Sequence, residues 1–577
     1  MLDEWRRLAL DVLRKAGRAG PADSPDDVER LLATTTYDGI ELAPLYRPGD
    51  AALTLPRGAR PAGAPWEIRQ RHTGPDTVRL RAAVLDDVHH GVTSLWLDLG
   101  GTGAEALADL LGGLDPARVT VVVDAPETPD KAAEALLGWA AGHGPGARPR
   151  GGLGVDPLGA LARNGRSTGA EFVVPLARRC VARAPGLAAL TVDATVHHEA
   201  GASDADELAL SVATGVAYLR TLTAGGVARP DAFGQIEFRY AATADQFATI
   251  AKLRAARRLW SRVADVCGVP EAAGQRQHAV TSRAMLTTRE PSLNMVRATV
   301  AALAAVAGGA DALTVHPYDL LRGDDDALAR RIARNCQTVL HAEAHLGRVT
   351  DPAGGSWYVE AYTEKLAQRA WDRFQEIERH GGMPVVLADG TVAGWLVETW
   401  RRRRDDLARR QVPIIGVSRY ADPDEPAPPA APPAAPPAVP RRYAADFERL
   451  RDRSDRHRAA TGARPAVFLL PLGATARPAV VLDAAADLLA SAGITALRGA
   501  SHRTVADSIA AFLASAAPVI VLCGDDPAET VAELVAGLAQ AGVNRVWAAG
   551  EPASYPGIRT CLTPAELAGL LTDLGVR

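Results

Sequence analysis

From Ser94 onward the chain keeps one rhythm: a short apolar run, a turn, a longer helical stretch, then another short apolar run. The runs are Ser94–Leu99, Val119–Asp124, Gly152–Val155, Ala189–Asp193, Ile236–Tyr240, Ala279–Met285 and Ala312–Val315, with a weaker eighth near Trp357–Val359. Short apolar runs bounded by turn signals read as strands buried on both faces, and the periodic stretches between them read as helices. Alternating β and α elements pack as a parallel sheet under helices. Eight units over about 300 residues fit an α/β (β/α)8 TIM barrel, although an open doubly wound sheet has the same rhythm. Ser203 with Asp206 three residues on is a capping-box pattern. The acids Asp324, Asp325 and Asp326 favour a helix start for about Ala327–His345.

Three further segments flank this pattern. Leu2–Lys15 puts Leu2, Trp5, Leu8, Val12 and Leu13 on one helical face, and Ser24-Pro25-Asp26-Asp27 opens a second helix. Both apolar faces need cover, from the main domain or from another chain. Nine of the twenty residues from Ala421 to Pro440 are proline, so Asp422–Pro440 reads as a semi-rigid spacer. Beyond it, apolar runs at Ala466–Leu470, Thr495–Leu497, Val519–Leu522, Arg545–Ala548 and Ile558–Cys561 alternate with helical segments, which predicts a small flavodoxin-like domain.

A chain of 577 residues exceeds one ordinary core. The net charge of −4 gives no reason to expect nucleic acid or a membrane surface as a partner. Cys180, Cys267, Cys336, Cys523 and Cys561 are scattered, with no C-x-x-C pair, which points to a reducing compartment without a disulfide framework or structural zinc. Asp3 and Glu4 interrupt any leader-like core, and no apolar run reaches the roughly 18 residues of a membrane span. A cytoplasmic location is expected.

Local blocks narrow the reading. Pro65–Gln70 (PWEIRQ) resembles the P-W-T-I-R-Q segment of the cobalamin-dependent methylmalonyl-CoA mutase family. Ile250–Trp260, Asn294–Arg297, Arg331–Asn335 and Gly347–Ser356 resemble further family blocks in the same order. The resemblance runs from about Tyr37 to the C-terminus. It implies a helical, partner-wrapping arm over 1–60, a mutase-like barrel over 61–415, a Pro/Ala-rich linker over 416–463 and a degenerate cobalamin-binding-like, flavodoxin-type domain over 464–577. Each block also has a plain structural reading. Ile250, Leu253 and Trp260 form one face of an amphipathic helix, and Gly354-Gly355 suits a tight turn.

The sequence departs from the active members of that family at their reactive positions. Their D-x-H-x-x-G loop supplies a histidine to cobalt and an aspartate that orients it. The loop here is Pro471–Arg477, with Leu472 at the aspartate position, Ala474 at the histidine and Arg477 at the glycine. His502 is the nearest histidine in that domain and reads as an exposed or helix-start residue. The later S-x-L is replaced by Cys523-Gly524-Asp525, with a glycine remnant at Ala549-Gly550. The tyrosine after R-Q is Arg71, while Arg69 suits packing or ion pairing. In Ala194–Gly201, Val196 takes the place of the histidine that contacts the thioester carbonyl, and Glu199-Ala200-Gly201 fixes the register against a shift onto His197 or His198.

The resemblance therefore implies a non-catalytic subunit, with no catalytic, cofactor-binding or metal residues of its own. Its partner would be a catalytic large subunit that binds adenosylcobalamin and interconverts (R)-methylmalonyl-CoA and succinyl-CoA. The family barrel threads the CoA tail along its axis, and Ser94-Leu95-Trp96-Leu97, read as strand one, is bulky for a channel. Three alternatives remain at this level: a self-sufficient mutase with an atypical site, a regulatory or interaction protein on the same fold, and a barrel enzyme built on His197, His198 and Glu199. Adjacent strand residues point to opposite faces, which disfavours the last.

Overall fold

The computed structural model describes residues 1–50, 64–144, 148–323, 326–428, 441–473, 477–501, 504–524, 527–549, 555, 558 and 560–576. Eight parallel strands close into a barrel. They are β1 Glu67–Thr73, β2 Ser94–Asp98, β3 Thr120–Asp124, β4 Gly151–Val155, β5 Leu187–Asp193, β6 Ile236–Ala242, β7 Arg276–Thr281 and β8 Ala312–Thr314. β8 closes the ring against β1, with Leu313 opposite Ile68.

Trp357–Val359 is not a strand: it opens the helix Trp357–Arg379, capped by the Ser356 side chain. The missing strand is β1, so Ser94–Asp98 is the second strand and not the first. β1 escapes an apolar search because its inward side chains are Arg69 and Arg71, which find partners inside the barrel. The seventh run is also shorter than Ala279–Met285, ending at Thr281 before a 3-10 turn at Arg283–Met285.

Burial follows the pleat. On β2, Leu95 and Leu97 are fully buried against the helical layer, whereas Trp96 clusters inside the ring with Val122 and Val280. Each such buried leucine is worth about 1.5–3 kcal/mol. The helices α3 (Asp204–Ala224), α4 (Gln246–Val266) and α5 (Trp357–Arg379) pack on one side of the barrel. Ser203 caps α3 by accepting from the Asp206 backbone N–H.

α4 is not the simple amphipathic helix of the sequence reading. Lys252, Arg254 and Arg257 are buried with it. Lys252 meets Glu207 at 2.7 Å and Asp204 at 2.9 Å, Arg254 meets Glu360 at 2.8 Å and Asp351 at 3.0 Å, and Arg257 donates to Gln277. A buried charge persists only when paired in this way. Gly354 lies in the turn beside Asp351, where a β-carbon would come within 2.8 Å of that carboxylate.

The C-terminal domain is a four-stranded parallel sheet: β9 Ala466–Leu472, β10 Thr495–Arg498, β11 Ile520–Gly524 and β12 Val546–Ala549, in the order β10-β9-β11-β12. Where a fifth strand was expected, Cys561 forms a single parallel bridge to Ala548. This is the doubly wound, flavodoxin-like order. Val467, Leu469, Val521, Cys523 and Trp547 bury one face of the sheet, and Phe468, Leu470, Leu472, Ile520, Leu522 and Ala548 the other.

Residues 429–440 of the proline-rich spacer lie outside the described residues. Ala445–Thr461, within the segment 416–463, is a helix, α6. It is rich in charge, and ion pairs dock it: Arg289, fully buried, donates to Asp452 and Asp455 at 2.6 Å each. At the N-terminus, α1 (Leu2–Lys15) rests on the segment Pro25–Leu32, with Arg6 paired to Glu29 at 2.8 Å. Leu10 and Leu13 are buried there, but Leu8 and Val12 remain 56% and 64% exposed. Among the described residues no helix is long and apolar enough to cross a membrane.

Candidate functional site

In a (β/α)8 barrel, chemistry gathers at the carboxyl ends of the strands. Asp98, Asp124 and Asp193 each end a strand there, and Arg71 and Arg239 project from β1 and β6. Together with Arg163, Arg283, Glu199, His198 and His316 they line a cavity of about 260 Å³.

Opposite charges in this cavity are matched. Arg239, 2% exposed, donates to Asp193 at 3.1 Å and to Asp124 at 3.2 and 3.3 Å. Arg163 reaches Asp193 at 2.9 Å, Arg71 reaches Asp98 at 2.7 Å, and Arg283 grips Glu199 in a fork. Burial alone would raise the Asp193 carboxyl, but Arg239 and Arg163 hold it down to about 2. With four guanidinium groups already facing four carboxylates, little field remains to draw in an anionic ligand.

Below the mouth the axis is filled. The Trp96 indole lies under Arg239 at 4.0 Å and near Arg71 at 4.9 Å, and its N–H donates to Asp124 at 2.7 Å. The His278 ring stands edge-on to Trp96 at 5.3 Å. Burial and the nearby Arg69 and Arg239 push His278 far below the usual imidazole range, so it is neutral. Its Nδ1 accepts from Arg239, which leaves Nε2–H to donate to Thr314 at 2.8 Å. Deeper still, Arg69 binds Glu237 at 2.7 Å, Glu67 at 2.9 Å and Ser94 at 2.9 Å. The chain leaving the spacer crosses the mouth, where the Arg441 N–H donates to the Glu199 carbonyl and the Tyr443 N–H to the Ala284 carbonyl, both at 2.9 Å.

The sequence-flagged residues fall into two groups. Arg71 is at the mouth, where its guanidinium faces Asp98. His197, His198 and Glu199 sit on the short helix Thr195–Glu199 and not on a strand. They do not converge: His198 bonds the Ser282 hydroxyl at 2.7 Å, Glu199 holds Arg283, and burial pushes His197 down to about 4. Asn294 is fully buried and structural, accepting from the Thr287 N–H and donating to the Tyr318 carbonyl. In the C-terminal domain, Leu472 is 5% exposed in an apolar cluster with Phe468, Leu470, Leu522 and Tyr555. Ala474, His502, Asp525 and Gly550 lie outside the described residues, and Arg477 begins the helix Arg477–Ser491. Cys523 is buried in the sheet, which pushes its thiol up to about 12.

The sequence reading missed Arg239 and Tyr555. The signal for the first was present: two apolar runs end on Asp124 and Asp193 and a third carries Asp98 next to its end, which calls for an inward cation on a neighbouring strand. A second, larger cleft of about 1090 Å³ lies beneath the strap Thr34–Asp38, beside Asp204, Asp245, Arg403 and Tyr362. Among the described residues no three His, Cys, Asp or Glu side chains are grouped to hold a metal ion.

A family model described as methylmalonyl-CoA mutase matches residues 148–465. The methylmalonyl-CoA mutase small subunit of Streptomyces virginiae is 48% identical over 574 residues, covering 95% of this chain and 92% of that protein. The probable methylmalonyl-CoA mutase small subunit of Mycobacterium tuberculosis (strain ATCC 25618 / H37Rv) is 42% identical over the same shares. The small subunit from Propionibacterium freudenreichii subsp. shermanii is 35% identical over 494 residues, 82% of this chain and 76% of its own.

Proposed function

The chain belongs to the methylmalonyl-CoA mutase family, and from that premise we propose that it is the non-catalytic small subunit of the mutase, an isomerase. Its partner is the catalytic large subunit. The family is cobalamin-dependent. In this reading the large subunit alone binds adenosylcobalamin and interconverts (R)-methylmalonyl-CoA and succinyl-CoA, while this chain supplies a folded surface and no catalytic, cofactor or metal residue.

The observation that carries the reading is the filled barrel. An acyl-CoA tail threaded along the axis would have to displace Trp96 and break the buried Arg69–Glu237 pair, 3% and 2% exposed at their side chains. Parting such a pair leaves two desolvated charges behind, which opposes entry of a ligand along the axis. The cofactor does not fit the C-terminal domain either. A buried Leu472 stands where an aspartate would orient the cobalt-bound histidine, and an apolar side chain cannot accept that hydrogen bond.

The N-terminal arm is the contact proposed for the large subunit. Leu8 and Val12, one helical turn apart, present apolar surface that no described residue of this chain covers. Co-expression with a large subunit tests the reading. Mutase activity is expected only from the pair, and deletion of residues 1–32 should abolish co-purification. Activity from this chain alone would refute the reading, and an intact pair after the deletion would refute the role of the arm.

A further inference from the structure

The larger cleft, of about 1090 Å³, is lined by the strap Thr34–Asp38, the starts of α3 and α4, and the side of α5. Three of its side chains are carboxylates. Asp38 comes from the strap and accepts from the Ala205 N–H at 3.1 Å. Asp204 opens α3, and Asp245 caps α4 by accepting from the Ala248 N–H at 3.2 Å. Cations do not match them. Lys252 meets Asp204 at 2.9 Å but also Glu207 at 2.7 Å, so one ammonium serves two acids. Neither Asp38 nor Asp245 forms an ion pair with a described residue. Arg369 donates to the Asp38 carbonyl and not to its carboxylate. Arg403 is held over the Tyr37 and Tyr443 rings at 4.8 and 5.5 Å and donates to the Ala202 carbonyl.

An independent sign comes from α5. Tyr362 is 3% exposed and lines the cleft, and its hydroxyl makes no hydrogen bond to a described residue. Yet it lies in the field of Asp38, Asp204 and Asp245. A buried phenol normally finds a partner. Beside three carboxylates that it does not bond, this hydroxyl calls for a guest able to bridge them. Tyr358, one helical turn earlier, adds a second ring to the same wall. Aromatic faces attract cations. Among the described residues these acids are not grouped to hold a metal ion, and Leu42, Leu293 and Ile414 give the cleft an apolar side.

We propose that this cleft binds a small organic ammonium, a primary amine whose charged head lies among Asp38, Asp245 and the Tyr362 hydroxyl and whose body rests on the apolar side. An ammonium has three N–H donors, and these groups offer it three acceptors. The Asp38 carboxyl fits this role. Burial and Asp204 push it up to about 7, so its ionised form weakens the fold, and groups kept in such a state cluster at binding sites. The site lies apart from the filled barrel axis and does not depend on the proposed function.

The test is calorimetric titration of the full-length chain at pH 8 and fixed ionic strength, with n-butylammonium and phenethylammonium as probes. Both should saturate one site, whereas n-butanol and added sodium chloride should give no saturable heat. Asp38→Asn should weaken binding about tenfold or more, although it raises the melting temperature of the chain without probe. Tyr362→Phe should weaken binding several-fold and leave that melting temperature within about a degree, because the hydroxyl bonds no described residue. An ordinary core tyrosine would show no effect on binding. The proposal is overturned if neither probe saturates a site, if n-butanol binds as well as n-butylammonium, or if either variant binds the probes as tightly as the wild-type chain.

Discussion

The barrel mouth and the carboxyl end of the C-terminal sheet are held by opposite means. At the mouth, four arginines and four carboxylates answer one another around Trp96. At the ends of β11 and β12, the Tyr555 phenol packs among leucines and bonds three backbone atoms. A charge network is strong only while complete, since any gap leaves a desolvated ion behind. An aromatic plug fails gradually, because ring and hydroxyl contribute separately. The two regions should therefore respond differently to mutation and to pH.

The largest effect is expected at Arg239. Arg239→Ala strands Asp124 and Asp193 without their shared cation and should cost about 3–5 kcal/mol, read as a lower urea midpoint of the barrel transition. A loss under about 1 kcal/mol would mean that the mouth network contributes little. Next comes acid. Asp193 titrates at about 2 in the folded chain, below the ordinary aspartate value near 3.9. Its stabilising contribution is complete above about pH 4 and is lost as pH falls from there to about 2. The change is about 2–3 kcal/mol. The barrel midpoint should fall over that window, and in Asp193→Asn that component of the fall should vanish.

The structure also shows what the sequence could and could not announce. Seven of the eight barrel strands were legible as apolar runs, because strands under a helical layer must be apolar on at least one face. β1 was not, since Arg69 and Arg71 make it read as polar until their acidic partners on β6 and β2 are known. Trp357–Val359 misled for the reverse reason: a helix start that is apolar over three residues looks like a short strand. α6 was hidden because it docks by ion pairs to Arg289 and has little apolar periodicity. In the candidate site, the departures that the family resemblance implies at Leu472, Arg71 and Val196 are visible as residue types. Their replacements by packing and pairing are not, because Arg239, His278 and Tyr555 come from distant segments.

Smaller effects sharpen the contrast. Ser203→Ala removes the cap of α3 and should cost about 1 kcal/mol. A change of the opposite sign concerns Asp38, whose carboxyl burial and the neighbouring Asp204 push up to about 7. A raised acid favours the folded form while protonated, so its contribution worsens as pH rises from about 4 to 7 and stays unfavourable above. Asp38→Asn should therefore raise the melting temperature at pH 8 and leave it unchanged at pH 4. An equal shift at both values would contradict that assignment. None of these changes should move the C-terminal transition.

The central claim is that neither the barrel nor the C-terminal domain of this chain accepts the family's cofactor. An equilibrium titration of the purified chain with adenosylcobalamin, followed by gel filtration and an absorbance spectrum of the protein peak, tests it directly. The account predicts no corrinoid absorbance travelling with this chain alone and full absorbance once the large subunit is present. One equivalent of corrinoid retained by the isolated chain would contradict it.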